Sequence, residues 1–260
     1  MKKNIYFYYL LPILGLIAIV LYLIRFINIE EFKESDNFLT NSIFICYSTP
    51  NYNKLTDISL DSLKQIISPY KIIHKLDTPP EQLMSDSGFQ TDLWYYCVTN
   101  KIGHLVDILR NSNNYPCEYF IFTDCDIRYI SENKHHWDSL KEFIDNNDND
   151  IFFMRENDST DVNSGFFIIK NNENLNNNMR FFVNVLNKIS VTDKKNMPFG
   201  DQSIINNMKQ NINYGFIPNE YVIFGDNVND KKKALFHHAV GATTIDDKIN
   251  QINKIMTIVN

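Results

Sequence analysis

Apolar and polar residues fall in blocks along this chain, and the period within the blocks changes several times. The first block is Ile5 to Ile24, an uncharged run of 20 residues between Lys3 and Arg25. As a helix it is long enough to span a hydrocarbon core. Pro12 and Gly15 are tolerated in a membrane helix. The run exceeds a signal-peptide core, and Arg25-Phe26-Ile27-Asn28 offers no small-residue cleavage site. Residues 1–27 are therefore expected to form a cytosolic tail and an uncleaved transmembrane signal anchor, with Lys2 and Lys3 on the cytosolic side. Residues 28–41 carry Glu30, Glu31, Glu34 and Asp36 with little periodicity and read as a short stem. The folded domain is expected over 42–260.

Inside that domain the blocks shorten. Ile43–Tyr47 is an apolar strand, followed by the loop Ser48-Thr49-Pro50-Asn51-Tyr52. Ile58–Ile67 has helical spacing at Leu60, Leu63 and Ile67. Tyr70–His74 is a second strand, and Thr91–Leu109 a long helix with Leu93, Cys97, Ile102, Leu105 and Leu109 near one face. Tyr119–Ile127 is an uninterrupted apolar run up to Asp124, as expected of a strand covered on both faces. Strand, helix, strand, helix, strand predicts a parallel sheet. Further on, the pattern predicts a helix over Trp137–Ile144, strands over Ile151–Met154 and Gly165–Ile169, and helices over Asn174–Ile189 and Asp201–Met208. Short strands at Tyr221–Phe224 and Ala234–His237 and a terminal helix over Ile245–Val259 complete it. No internal repeat is visible, and the Asn-rich stretches 146–149 and 171–178 read as surface loops.

Composition narrows the function. The chain has 260 residues, 44% apolar, with 19 Phe and 14 Tyr, enough for one packed domain. A formal charge of −6 excludes the basic face a nucleic-acid protein presents, so a phosphate-bearing ligand would need a metal or a few placed cations. Cys46, Cys97, Cys117 and Cys125 make no Cys-x-x-Cys pair, which argues against structural zinc. Cys46 and Cys125 sit in apolar runs and read as buried free thiols.

Asp124 and Asp126 stand two apart at the end of the third strand. Were the strand to continue through them, both carboxylates would point the same way and could share one divalent cation. In an open α/β sheet the carboxyl ends of strands are where ligands bind. An Asp after a strand is also ordinary turn chemistry.

From Ser42 onward the chain resembles the GT-A nucleotide-diphospho-sugar transferases, most of all the retaining, glycogenin-like and plant-arabinosyltransferase-like group. Lys101, Asp124-Cys125-Asp126, Asn163-Ser164-Gly165, Asp201-Gln202 with Asn206, and His238-Ala239-Val240-Gly241 carry the resemblance, in the family's order and rough spacing. It implies an α/β fold with a mixed, mainly parallel sheet flanked by helices. It implies that Asp124, Asp126 and His238 hold manganese, with magnesium as the alternative, and that Asp201 and Gln202 are catalytic. The donor contacts it implies are Asn51, Tyr52, Lys101, Asp124, Asn163, Ser164, Gly165, Gly241 and Lys248. Lys248 is further from Gly241 than the pattern has it, so Lys231, Lys232 and Lys233 compete for the diphosphate. His237, adjacent to His238, is the competing core histidine; Asp201 also suits a helix N-cap. Arg155, Glu156 and Asp158 could reach the sugar, and Asn157-Asp158-Ser159 is a glycosylation sequon.

The implied activity is transfer of a sugar from a nucleotide-diphosphate sugar, UDP-linked, to a glycan, glycoprotein or glycolipid acceptor, with retention. With the anchor, it implies a single-pass type II membrane protein of the Golgi or endoplasmic reticulum with a lumenal catalytic domain. Two other readings stand beside it. A phosphatase of the haloacid-dehalogenase type would use Asp124 as nucleophile and Asp126 as acid, with Gly225-Asp226-Asn227-Val228-Asn229-Asp230 as a second metal loop. A non-catalytic, membrane-anchored sugar-binding protein would keep the fold without the reaction.

Overall fold

A computed structural model describes residues 37–84, 88–157, 159–228 and 232–259. The expected membrane anchor and the stem up to residue 36 lie outside the described residues. Among the described residues no helix is long and apolar enough to cross a membrane.

In chain order the elements are β1 (Ser42–Ser48), α1 (Asn53–Lys64), β2 (Ile72–Leu76), α2 (Asp92–Arg110), β3 (Tyr119–Thr123) and β4 (Ile127–Tyr129). Then come α3 (His136–Asp145), β5 (Ile151–Arg155), β6 (Val162–Lys170), α4 (Leu175–Val191) and α5 (Asp201–Met208). β7 (Tyr214–Phe216), β8 (Val222–Phe224), β9 (Phe236–His238) and α6 (Ile245–Val259) complete the fold. The main sheet has the order β2-β1-β3-β6-β5-β7. β1 runs parallel to β2 and β3, and β5 to β7, while β6 is antiparallel to both β3 and β5. The mixed, mainly parallel sheet is thus as expected. A second sheet, β4-β9-β8, has three strands.

The continuous apolar runs of β1 and β3 follow from their interior places, since every residue of both strands is buried. On one face Phe122, Phe153 and Phe167 meet α2 and α4 through Ile102, Leu105, Phe182 and Val185. On the other, Phe44, Ile121, Phe166 and Ile168 meet Leu63, Trp137, Leu140 and Phe236. Ring pairs bind the layers: Phe122 stacks on Phe167 at 4.9 Å and Phe166 on Phe236 at 4.1 Å. The four cysteines are free thiols; Cys46 is buried and Cys125 half-buried.

Several boundaries differ from the sequence reading. α1 starts at Asn53, directly from the turn Pro50–Tyr52, and its first turn holds one apolar residue, the buried Leu55, too few to show a period. Ile67 is buried beyond the helix end, which is why the apolar spacing overshoots. β2 begins two residues later than expected, because Tyr70 lies in a turn, 62% exposed. β4 and β7, three residues each, have no counterpart in the sequence reading: β4 follows the Asp pair without a break, and β7 centres on Gly215. The packed domain also takes in part of the expected stem: Phe38 is fully buried, stacked on Trp137 at 5.7 Å.

Parallel pairing of β1 and β3, and the antiparallel start of β6, bring Ser48, Asp124 and the Asn163–Gly165 segment to one edge of the sheet.

Candidate active site

The strand does not continue through the Asp-x-Asp pair. β3 ends at Thr123, residues 125 and 126 make a turn, and β4 departs into the small sheet. The two carboxylates converge for a different reason than strand alternation. Asp124 is held at the main sheet, its N–H donating to Gly165 O at 2.7 Å. Asp126 is placed by the small sheet, where Ile127 pairs with His238 and Ala239 N–H donates to Asp126 O at 3.1 Å. The turn folds the pair around one point, and one ligand atom each from Asp124, Asp126 and His238 lies within 4.8 Å of the others. His238 is the last residue of β9 rather than a loop residue.

Two carboxylates and an imidazole suit a divalent cation such as manganese. His238 Nε2 is 3.2 Å from Asp126 Oδ1, and that buried oxygen has no other polar partner among the described residues. An open coordination position on a buried carboxylate fits a cation there. The neighbouring histidine is engaged elsewhere, with His237 Nε2 lying 2.9 Å from Gly225 O in the core. Gly165 explains itself at this point, because a Cβ on it would lie 2.9 Å from His238 Nε2 and 3.0 Å from Asn163 Oδ1.

Two lysines complete the charge pattern. Lys101, buried on α2, reaches Asp124 Oδ1 at 3.1 Å and Asp201 Oδ2 at 3.2 Å. Lys248, on α6, pairs with the Asp126 carboxylate and donates to Ala239 O at 2.9 Å. Of the competing lysines, Lys233 pairs with Glu220 at 3.0 Å, and Lys231 lies outside the described residues. Burial pushes the Asp124 carboxyl up to about 6 against the pull of Lys101. Burial acts on Asp126 as well, but Lys248 and His238 outweigh it and hold that carboxyl well below the ordinary carboxylate range. Burial also raises Asp201, partly offset by Lys101 and a hydrogen bond to the Ser164 side chain. Burial alone would lower Lys101; Asp124 and Asp201 overcome it and keep the ammonium charged.

Asp201 is the first residue of α5, and its expected role as N-cap falls to Gly200, with φ of 57° and no side-chain cap. Next to it, Gln202 Oε1 accepts from Ser164 N–H at 3.3 Å, and Gln202 Nε2 donates to Glu156 Oε2 at 3.0 Å. Asn163 Nδ2 donates to the same Glu156 oxygen at 2.7 Å. Asn206 acts as a strand would, exchanging hydrogen bonds with Val162 N and O at 2.9 Å each. The β5–β6 register jumps from Phe153↔Phe167 to Met154↔Asn163. Ser164–Phe166 thus form a bulge, the device that re-aims side chains beside a site.

The remaining candidate residues lie in varied surroundings. Asn51 follows β1, donates to Met84 O at 2.9 Å and keeps a buried Oδ1 without a partner among the described residues. Tyr52 packs against the cluster of Leu55, Ala239 and Ile252. Gly241 has φ of 81°, which glycine adopts without strain. Arg155 is occupied elsewhere, over the Phe216 ring at 3.9 Å, and Asp158 lies outside the described residues. Asp226 pairs with Lys254 at 3.1 Å, at the surface, rather than turning toward Asp124 as a phosphatase metal loop would. The sequence singles out Glu156 beside Arg155 and Asp158, but its two amide partners, 7 and 46 residues away, had no signal there.

No family model and no curated protein matches the chain. Solved structures do. One is a glycosyltransferase involved in the glycosylation of the major capsid of PBCV-1: identity is 14%, TM-score 0.57, with 82% of this chain and 98% of that chain covered. Another is the apo-form glycosyltransferase GlyE of Streptococcus pneumoniae TIGR4, at 11% identity and TM-score 0.51. There 84% of this chain covers 64% of the other, so the chain spans less than two thirds of it. At these identities the likeness is one of fold, and the mixed, mainly parallel α/β architecture flanked by helices fits the GT-A fold.

Proposed function

We propose that the protein is a metal-dependent glycosyltransferase that moves a sugar from a UDP-linked donor to a glycan, protein or lipid acceptor with retention of configuration. The observation that carries this reading is the convergence of Asp124, Asp126 and His238 at the carboxyl edge of the sheet, next to the Lys101–Asp201 pair. Asp124, Asp126 and His238 would hold manganese or magnesium. The bound ion would supply charge neutralisation for a nucleoside diphosphate.

The chain's own residues do the rest. Lys248, beside Asp126, is the lysine in reach of the diphosphate. Asn51 and Tyr52, after β1, flank the nucleoside. Asn163, Ser164, Gly165, Asp201 and Gln202 surround the sugar. In transfer with retention the C1–O bond to the diphosphate breaks, and its electron pair leaves with the phosphate. The acceptor oxygen bonds to C1 on the same face, and its proton passes to the departing phosphate oxygen. Asp201, paired with Lys101, orients the sugar and stabilises positive charge at the ring, and Gln202 fixes the sugar's position. Phe89 and Phe199, 47% and 57% exposed, lie close to the start of α5 and offer flat apolar faces to an acceptor ring. In the same reading residues 5–24 anchor the chain as a type II membrane protein, with the domain in the lumen of the Golgi or endoplasmic reticulum.

Thermal unfolding with UDP, with and without manganese, tests the donor site. A ligand at 100 times its Kd stabilises the native state by about 2.7 kcal/mol. Stabilisation that requires UDP and manganese together, and is absent in Asp126→Ala, is expected. No shift with UDP, GDP or CDP would remove the reading.

A further inference from the structure

Glu156 has no role in the reaction outlined above, yet its side chain joins the β5–β6 turn, β6 and α5 at the site. Its backbone is fixed on both sides. Glu156 N–H donates to Asp161 O at 2.9 Å, while Ser159 N–H and Oγ donate to Glu156 O at 3.2 and 2.6 Å. The chain reverses through Asn157, a non-glycine residue with φ of 53°. Held there, Oε2 accepts from Asn163 Nδ2 at 2.7 Å and from Gln202 Nε2 at 3.0 Å. Both amide oxygens are already engaged by the β6 backbone, Asn163 Oδ1 by Gly165 N–H at 2.9 Å and Gln202 Oε1 by Ser164 N–H at 3.3 Å.

An amide group has one accepting end and one donating end, and without a partner that distinguishes them it can rotate or turn over. Here an anion faces both NH2 groups and backbone N–H groups face both oxygens. Hydrogen bonds to an ionised acceptor are roughly twice as strong as neutral ones, so the carboxylate dictates the orientation. Each amide then has one N–H left over, while each oxygen already accepts one bond from the β6 backbone.

We infer that Glu156 is a positioning residue of the donor-sugar pocket, locking Asn163 and Gln202 so that both present N–H donors to the hydroxyl oxygens of the transferred sugar. The inference rests on the donor-site reading above and assigns the sugar-facing half of that site. Glu156 is not among the residues that meet the diphosphate or the cation, so its effect is confined to the sugar.

The test compares calorimetric binding of UDP with that of UDP-glucose, UDP-galactose and UDP-N-acetylglucosamine by the full-length, manganese-loaded protein, together with donor turnover. For Glu156→Ala, UDP affinity is expected within about 2-fold of wild type. The tightest-binding UDP-sugar should weaken about 10-fold and kcat should fall about 100-fold, the scale of one or two lost charged hydrogen bonds. Glu156→Gln keeps an acceptor oxygen at the same reach but loses the charge, and is expected to recover only part of both losses. Glu156→Asp keeps the charge but is one methylene short, and is expected to behave like Glu156→Ala; it serves as the measurement if Glu156→Ala does not fold. Equal weakening of UDP and UDP-sugar, or no change in either and in turnover, overturns the inference while leaving the donor site standing. A wild-type protein that binds neither UDP nor any UDP-sugar overturns the donor reading and this inference with it.

Discussion

A single methyl group at position 165 is enough to break the candidate metal site. Gly165→Ala places a carbon 2.9 Å from His238 Nε2, which itself lies 3.2 Å from Asp126 Oδ1, so the ring must shift from the carboxylate pair. The variant is expected to fold with a loss of about 1–3 kcal/mol from overpacking and to lose manganese-dependent stabilisation by UDP. Full retention of that stabilisation would show that His238 is not a ligand. A second residue gives a pH dependence away from the site. His104 on α2 is 8% exposed, with no partner for Nε2 among the described residues, and burial, with Lys75 and His74 adding, lowers it to about 4. The native state therefore keeps the ring neutral while the unfolded chain protonates below about 6.5. The resulting stability is fully present above about pH 6.5 and is lost as pH falls toward about 4, by up to about 3 kcal/mol. Between pH 7 and 4.5 the urea midpoint of wild type is expected to fall relative to that of His104→Leu; parallel curves would refute the assignment. Both residues were visible in the sequence, Gly165 within a motif and His104 inside a helix. Their constraints were not visible, because each is set by a neighbour far away in the chain.

At the scale of elements, α5 is delivered to the site by one backbone conformation. Gly200 has φ of 57°, and a Cβ there would lie 2.8 Å from Val98 and 2.9 Å from Trp94 on α2. Gly200→Ala combines a left-handed strain of about 1 kcal/mol or more with that clash, so a loss of about 2–4 kcal/mol is expected. Displacement of Asp201 from Lys101 should accompany it, seen as loss of donor turnover larger than loss of UDP affinity. An unchanged unfolding midpoint would contradict this packing of α5 on α2. The long elements were legible from the apolar period: α2, α4 and α6 fall within two residues of their expected ends. Among the short ones α3, α5, β5, β8 and β9 were legible too, whereas β4 and β7 were not. β4 carries no pattern of its own, yet its pairing with β9 is what sets His238 beside Asp126.

Across the whole molecule, stability should be graded from the sheet centre outward. β1, β3 and β6 are buried on both faces, whereas β2 is an edge strand and α6 buries only Ile252 and Ile255. Amide exchange at Phe44, Ile45, Ile121, Phe122, Phe167 and Ile168 is expected to require global unfolding, with α6 and β2 exchanging through smaller openings. Equal protection of α6 and β3 would refute that order. The gradient matters for the site, because Asp124 and Gly165 hang from the most stable strands while Lys248 hangs from α6.

What the chain determined by itself was the class of its elements, the buried strand that ends in two carboxylates, and the set of residue types that can bind a cation and a sugar. Local patterning suffices for these, because apolar period and side-chain chemistry are properties of short segments. The tertiary structure decided which of them meet. It ended β3 at Thr123 and turned the Asp pair through a tight bend, chose His238 over His237 by strand register, and put Lys248 on Asp126. It also spent Lys101 on two carboxylates and joined Glu156 to Asn163 and Gln202. Those outcomes depend on contacts between residues tens of positions apart, set by the packing of the two sheets against their helices and carried by no local segment.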